Sequence, residues 1–205
     1  MSQRDNFLYR ILSFPIIYRS IQLLASGISF RKKFVLKNTI KGKKINVLDV
    51  GCGPADILEV IPNCNFYGFD IDPSIIRYAK KKYNNKNYKF FCKEFSSREL
   101  KRLPKFDLVI LFGVIHHLDD IKCTNLLKVL KKTLKVNGKL ISCDPVLDDN
   151  QNFIARFLIK NDRGKNVRYA DHYFKLNKKI FKKIECKTYN QNFIPYTWFT
   201  SICKI

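Results

Sequence analysis

The stretch Ile45 to Asp56, INVLDVGCGPAD, decides how the rest of the chain is read. Ile45, Val47, Leu48 and Val50 form a short apolar run of the kind that makes a buried strand. Asp49 sits inside that run, and Gly51 and Gly53 follow it. A helix is expected next, over Ala55 to Val60, ending at Pro62. Glycine has no Cβ, so a glycine turn lets a ligand come up against the backbone and lets the chain reverse sharply. A helix behind the turn would aim free N–H groups and its positive end at the same place. Strand, glycine turn and helix together predict a ligand cradle.

Outward from the cradle, strands and helices alternate. Asn65 to Ile71, NFYGFDI, reads as the second strand, with Asp70 near its end and Asp72-Pro73 just beyond. Aspartate before proline is a helix-start signal, so Asp72 reads as an N-cap for a helix over Ser74 to Tyr83. Asp70 has no such explanation. An acidic residue at the end of the second strand is where a mononucleotide-binding fold grips ribose, because a carboxylate accepts from both hydroxyls. Tyr88 to Cys92 is the third strand, followed by Glu94 and Phe95, and Ser96 to Glu99 matches a capping box. Phe106 to Leu111 is the fourth strand, with Phe112 to His117 at its C-terminal end. Asp119 or Asp120 caps a helix that carries Leu126, Leu127, Leu130 and Leu134 and stops near Gly138. Lys139 to Cys143 is the fifth strand, ended by Asp144-Pro145.

This alternation predicts an α/β fold with a doubly wound, mostly parallel sheet. Ligands in such sheets sit beyond the C-terminal ends of the strands. Gly51 to Gly53, Asp70, Glu94, Phe112 to His117 and Asp144 all fall there. Further on, Asn152 to Ile159 reads as a helix, Asp162-Arg163-Gly164 as a turn and Tyr169 to Leu176 as a short helix. Ile180 to Tyr189 and Thr197 to Ile205 read as two closing strands, paired antiparallel at the sheet edge. Before the cradle, Phe7, Leu8, Ile11 and Leu12, then Ile17, Ile21 and Leu24, mark amphipathic helices that stop at Gly27, and Arg31 to Lys33 open a third. Residues 1–41 are expected to be a helical lid on a core of residues 45–205, all one domain, with Arg31 reaching a ligand carboxylate. Plain packing of these helices is the rival reading.

Composition narrows the class. The chain has 205 residues, 46% of them hydrophobic, which suits one folded domain. Lys plus Arg number 39 against 17 Asp plus Glu, a net charge of +22 that attracts anions. Lysine runs along the whole chain, so the excess reads first as a solvated surface and second as a functional basic face. Seven cysteines, an odd number without metal-ligand or redox spacing, are expected as reduced thiols in a cytoplasmic protein that holds no metal. Ile11 to Phe30 is interrupted by Pro15, Arg19 and Gln22, so no transmembrane segment is expected, although peripheral membrane contact stays open.

VLDVGCGPAD, GFDIDP, FDLVILFGVIHHL and LKKTLKVNGKLI together resemble the motif series of class I S-adenosylmethionine-dependent methyltransferases. NDRGKNVRYADHYF and FIPYTWF resemble the C-terminal half of small bacterial members. Ala55 stands where the family usually has a third glycine, and Glu94 where aspartate is commoner. The resemblance implies a Rossmann-like seven-stranded sheet closed by an antiparallel strand pair, with S-adenosyl-L-methionine as cofactor. It implies that Asp49 positions the methionine amino group and that Gly51 and Gly53, with Cys52 between them, line the cofactor. Asp70, with Ile71 beside it, would hold the ribose, Glu94 and Phe95 would border the adenine, and Phe112 would flank the methionine.

The expected chemistry is direct displacement at an activated methyl, with alignment of the acceptor as the main task. A hydroxyl acceptor is helped by a general base, for which His116 and His117 are the candidates, His117 looking the more structural. His172 and Tyr173 are candidates for the substrate side. The expected acceptor is a small molecule or a lipid-linked group, anionic if the charge is functional. The alternatives are an RNA methyltransferase that uses the basic surface and a non-catalytic S-adenosylmethionine-binding module. A nicotinamide dehydrogenase is rejected, because Gly51, Gly53 and Ala55 after Asp49 do not spell G-x-G-x-x-G.

Overall fold

A computed structural model of the chain describes residues 28–39, 42–191 and 195–205. The helices expected around Phe7 to Leu12 and Ile17 to Leu24, and the stop at Gly27, lie outside the described residues. The third N-terminal helix is α1, Ile28–Asn38, which begins before Arg31.

The sheet follows from the sequence pattern. β1 (Ile45–Val50) pairs in parallel with β2 (Cys64–Asp70) on one side and β4 (Phe106–Phe112) on the other. β3 (Tyr88–Cys92) extends the sheet beyond β2, and β5 (Leu134–Leu147) beyond β4. β8 (Tyr196–Lys204) lies antiparallel to β5, and β7 (Lys183–Gln191) antiparallel to β8. The spatial order is β3-β2-β1-β4-β5-β8-β7. An eighth strand, the two-residue β6 (Arg168–Tyr169), pairs with the far end of β5, where seven strands were expected.

Both faces are covered, so the central strands alternate between two cores rather than between core and water. Val47 and Leu48 are neighbours in β1, and both are fully buried, but on opposite faces. Val47 shares its core with α1, with α2 (Pro73–Lys82) and with α4 (Phe153–Lys160). Leu48 shares the other with α3 (Asp120–Thr133) and α5 (Ala170–Lys178).

Several expected boundaries move for identifiable reasons. Asp72 caps α2 as predicted, accepting from the backbone N–H of Ser74 and Ile75. Asp119, not Asp120, caps α3. Gly138 does not stop α3, which ends at Thr133. It sits in a bulge between the Phe106–Leu134 and Leu108–Lys139 pairs, where a Cβ would come within 2.5 Å of the Phe106 carbonyl. The helix expected over Ala55 to Val60 is only a 3-10 turn, Asp56–Glu59. The Ser96 to Glu99 capping box does not form: Ser96 makes no side-chain cap, and Glu99 pairs with Lys93 at 2.8 Å. Among the described residues no helix is long and apolar enough to cross a membrane. The seven cysteines carry no disulfide.

Candidate active site

The glycine turn after β1 owes its shape to left-handed backbone. Gly51 has φ +74° and Gly53 +53°, and Ala55 adopts φ 58° as well. An L-residue is strained there by roughly 1–2 kcal/mol, so Ala55 does conformational work usually left to glycine. At Gly51 a Cβ would also lie 2.5 Å from Val114 Cγ2. The N–H groups of Gly51 and Cys52 both donate to the Phe69 carbonyl, which pins the turn to the end of β2.

Asp70 completes that junction. One carboxylate oxygen accepts from the Gly53 N–H at 2.9 Å, the other from the Asp72 N–H at 3.0 Å. Each oxygen keeps a lone pair, and Asp70 lines a cavity of about 820 Å³ beside the strand tips. The same cavity is lined by Gly51, Ile71, Glu94, Phe95 and His117 among the residues singled out from sequence. Ile71 is 75% exposed, an apolar side chain open to a ligand's face. Phe95 is buried edge-on against Phe69, at 5.1 Å between centroids. The cavity also takes in Gly113 and Val114, from the Phe112 to His117 run expected there, and Leu118, Lys122, Asn125 and Leu126, which sequence reading had not placed at the site.

Asp49, Cys52, Gly53, Phe112 and His116 do not line this cavity. The Cys52 thiol belongs to the core, where a Cβ on Gly68 would crowd it, so this residue offers a ligand its backbone only. Asp49 is buried at the end of β1, and burial, with the Asp70 charge adding and Arg31 opposing, pushes its pKa up to about 8. Arg31 on α1 reaches over the strand tips. Its guanidinium carbon lies 6.0 Å from the Phe112 ring centroid and 5.0 Å from that of Trp198. Its Nε is buried without a hydrogen-bond partner among the described residues. A buried acidic group and a half-buried arginine that feels its charge therefore both stand near the glycine turn.

The two histidines stand in opposite surroundings. His116 is buried, with Nδ1 2.8 Å from Asp144 Oδ1 and Nε2 3.1 Å from Asp162 Oδ1. Burial alone would lower its pKa, but hydrogen bonds to the two carboxylates outweigh it and raise it to about 9. Each ring nitrogen of His116, the first candidate for a general base, faces a carboxylate, and the residue does not line the cavity. His117 reaches the cavity instead. Burial, helped by the charge of His116, lowers its pKa and keeps it neutral.

The segment after α4 clasps this loop. The Asn166 N–H donates to the His116 carbonyl. The buried Arg168 donates to the carbonyls of Ile115, Leu118 and Asn166 and to the Asp120 carboxylate. His172 bonds Asp120 and the Tyr173 hydroxyl bonds the Pro145 carbonyl, and neither lines the cavity. Among the described residues no cluster could hold a metal ion.

Comparison with known proteins places this geometry. A family model described as a methyltransferase domain matches residues 41–193. Malonyl-[acyl-carrier protein] O-methyltransferase of Acetivibrio thermocellus is 31% identical over 101 residues, which is 47% of this chain and 34% of that protein. The chain spans about a third of the length of the first curated relatives it matches. Among solved structures, human N-acetylserotonin methyltransferase in complex with SAM aligns at TM-score 0.63 and 23% identity, over 91% of this chain and 55% of that one. N-methyltransferase NodS of Bradyrhizobium japonicum in complex with S-adenosyl-l-homocysteine aligns at TM-score 0.65 and 15% identity, over 97% and 96%. At these identities the two structures speak to the fold.

Proposed function

The chain belongs to the methyltransferase domain family, and from that premise we propose that it transfers a methyl group from S-adenosylmethionine to a small-molecule or lipid-linked acceptor. The observation that carries this reading is the gathering of Gly51, Asp70, Ile71, Glu94 and Phe95 from three successive strand tips around one cavity. Its size suits a cofactor, since ligand sites run to roughly 300–1,000 Å³.

Bound S-adenosylmethionine supplies a methyl already activated on a sulfonium sulfur. The chain's residues would bind and align. Asp70, held by two N–H groups, would accept from the two ribose hydroxyls. Ile71 would cover one face of the adenine, with Glu94 and Phe95 at its edge. Asp49 would meet the methionine ammonium, which favours its ionised form, and Arg31 would meet the carboxylate, so that an acid and a base match a zwitterion. Phe112 would wall the methionine from below Arg31. Holding the acceptor in line behind the methyl can supply up to roughly 7–11 kcal/mol of the barrier.

The acceptor class draws on relatives, which include a malonyl-[acyl-carrier protein] O-methyltransferase and an acetylserotonin O-methyltransferase. Titration calorimetry with S-adenosylmethionine and S-adenosylhomocysteine tests the cofactor. A labelled methyl donor with metabolite and lipid extracts, followed by mass identification, tests the acceptor. Label appearing only in RNA, with binding that falls steeply as salt rises, would favour the basic surface as the substrate face. Binding without turnover would make the chain a cofactor-binding module.

A further inference from the structure

His116 and His117 are adjacent in one 3-10 turn, Ile115–His117, with ring centroids 4.1 Å apart, yet their surroundings are opposite. His116 is clamped on every side. Its backbone N–H and Nδ1 both go to Asp144 Oδ1, at 3.1 and 2.8 Å, and its Nε2 goes to Asp162. Gly164 presses on the ring so closely that a Cβ there would stand 1.9 Å from Cδ2. Asp162 is itself fixed by the Gly164 N–H and the Tyr196 hydroxyl, both at 2.9 Å. An imidazole that faces a carboxylate at each nitrogen can satisfy both only by carrying both protons. Among the described residues His117 has no carboxylate partner of this kind, and it lines the cavity.

We propose that the pair acts unequally, His116 as a positioning residue that holds a fixed buried positive charge and His117 as the neutral imidazole that takes the acceptor's proton. This rests on the methyl-transfer reading. In the step, the acceptor oxygen forms its bond to the methyl carbon while the C–S bond breaks and its electron pair stays on sulfur. The O–H proton passes to the free ring nitrogen of His117, and solvent removes it afterwards. Burial, helped by the cation tilted against its ring, keeps that nitrogen unprotonated at neutral pH. The other charged groups around His117 are Asp144 within β5 and Asp162 and Arg163 in the turn after α4. Asp70, Lys93, Glu94 and Lys122 share its cavity. Asp144 and Asp162 oppose the effect of His116, and Arg163 adds to it.

The chain has three histidines, 116, 117 and 172, so single substitutions assign every imidazole signal. Nitrogen-15 NMR titration of the ligand-free protein should show His116 protonated on both nitrogens past pH 8 and His117 losing its proton below the ordinary histidine range. In His116→Gln the His117 midpoint should rise by about 1 pH unit, the order expected for removing a charge at this separation. Adding S-adenosylhomocysteine should shift the His117 signals and leave His172 unmoved. A His116 that loses its proton below pH 7, a His117 midpoint unchanged in His116→Gln, or His117 signals indifferent to a bound ligand would each overturn the proposal. If His116→Gln does not fold, the wild-type titration alone decides. Failure of S-adenosylhomocysteine to bind by calorimetry would overturn the cofactor reading, a separate result from the titration of the ligand-free histidines.

Discussion

Asp70 and Asp72 stand two residues apart at the same strand tip and do different work. Asp72 spends its carboxylate on the first turn of α2, while Asp70 bridges the glycine turn and faces the cavity. Asp70→Ala should weaken S-adenosylhomocysteine binding at least tenfold by calorimetry, whereas Asp72→Ala should lower the melting temperature and leave affinity within about twofold; charged hydrogen bonds are worth roughly 1.5–3 kcal/mol. Equal losses of affinity would remove the assignment. Arg31 allows a sharper test through the ligand. Arg31→Gln should cost roughly tenfold or more in S-adenosylhomocysteine affinity and nothing for 5′-methylthioadenosine, which lacks the methionine carboxylate. Loss of both ligands alike would mean that Arg31 only packs against Phe112 and Trp198. The Asp72 cap was legible because a proline marks it, which left Asp70 as the aspartate without a local explanation. The surroundings of the two histidines were not legible. Two identical residues in a row carry no local signal of which faces inward, and the carboxylates that decide it, Asp144 and Asp162, lie 28 and 46 positions away from His116.

At the scale of elements, the parallel strands were read within a residue or two, except β5, because apolar runs bounded by turn residues leave few alternatives. The misreadings fall where a tertiary contact overrides a local pattern. Gly138 looked like a helix stop, but it lets a bulge of β5 approach the Phe106 carbonyl. Ile180 and Phe181 looked like strand, but the Phe181 N–H closes the end of α5 on the Asn177 carbonyl, and its ring enters the core. The β6 pairing was invisible at two residues long. The clasp from Asp162 to Tyr173 belongs here too: its motif was noticed as a resemblance, and its work is to bind the His116 loop to β5 and α3. Gly164→Ala puts a methyl group into the His116 ring. Overpacking of this kind costs typically 1–3 kcal/mol, so denaturant unfolding should show a loss in that range. Because the ring must move, the His117 signals should shift as well. A variant as stable as wild type, with unmoved signals, would mean that the turn is not a clasp.

Across the whole molecule, charge and burial together set how stability responds to pH. Alternating strands and helices announced the three layers, and the apolar run of β1 placed Asp49 in a buried strand, but nothing local announced the burial of His116, which is a property of the closed fold. These two groups act in the same direction. Asp49, raised to about 8 by burial, favours the folded state while it keeps its proton, and this contribution fades as pH climbs from 3.8 to 8. His116, raised to about 9 by its carboxylates, contributes fully below 6.5, and that stability is lost as pH rises through 9. Asp162, lowered to about 2 mainly because the hydrogen bond from His116 outweighs burial, works at the other end: its contribution is present above 3.8 and lost as pH falls to 2. Acid also neutralises the 17 carboxylates that offset 39 basic side chains, so self-repulsion rises as pH falls. The ligand-free protein should therefore melt highest at mildly acidic pH and lose melting temperature steadily from pH 6.5 to 9. The His116 part of that loss is about 3 kcal/mol by the linkage of pKa to stability. In Asp49→Asn the decline should start later and be shallower. With saturating S-adenosylhomocysteine, whose ammonium group favours ionised Asp49, wild type should show the same shallower profile. Thermal denaturation at constant ionic strength measures all three curves. A flat wild-type profile between pH 6.5 and 9 would show that neither Asp49 nor His116 holds a proton more tightly in the folded chain than in the unfolded one.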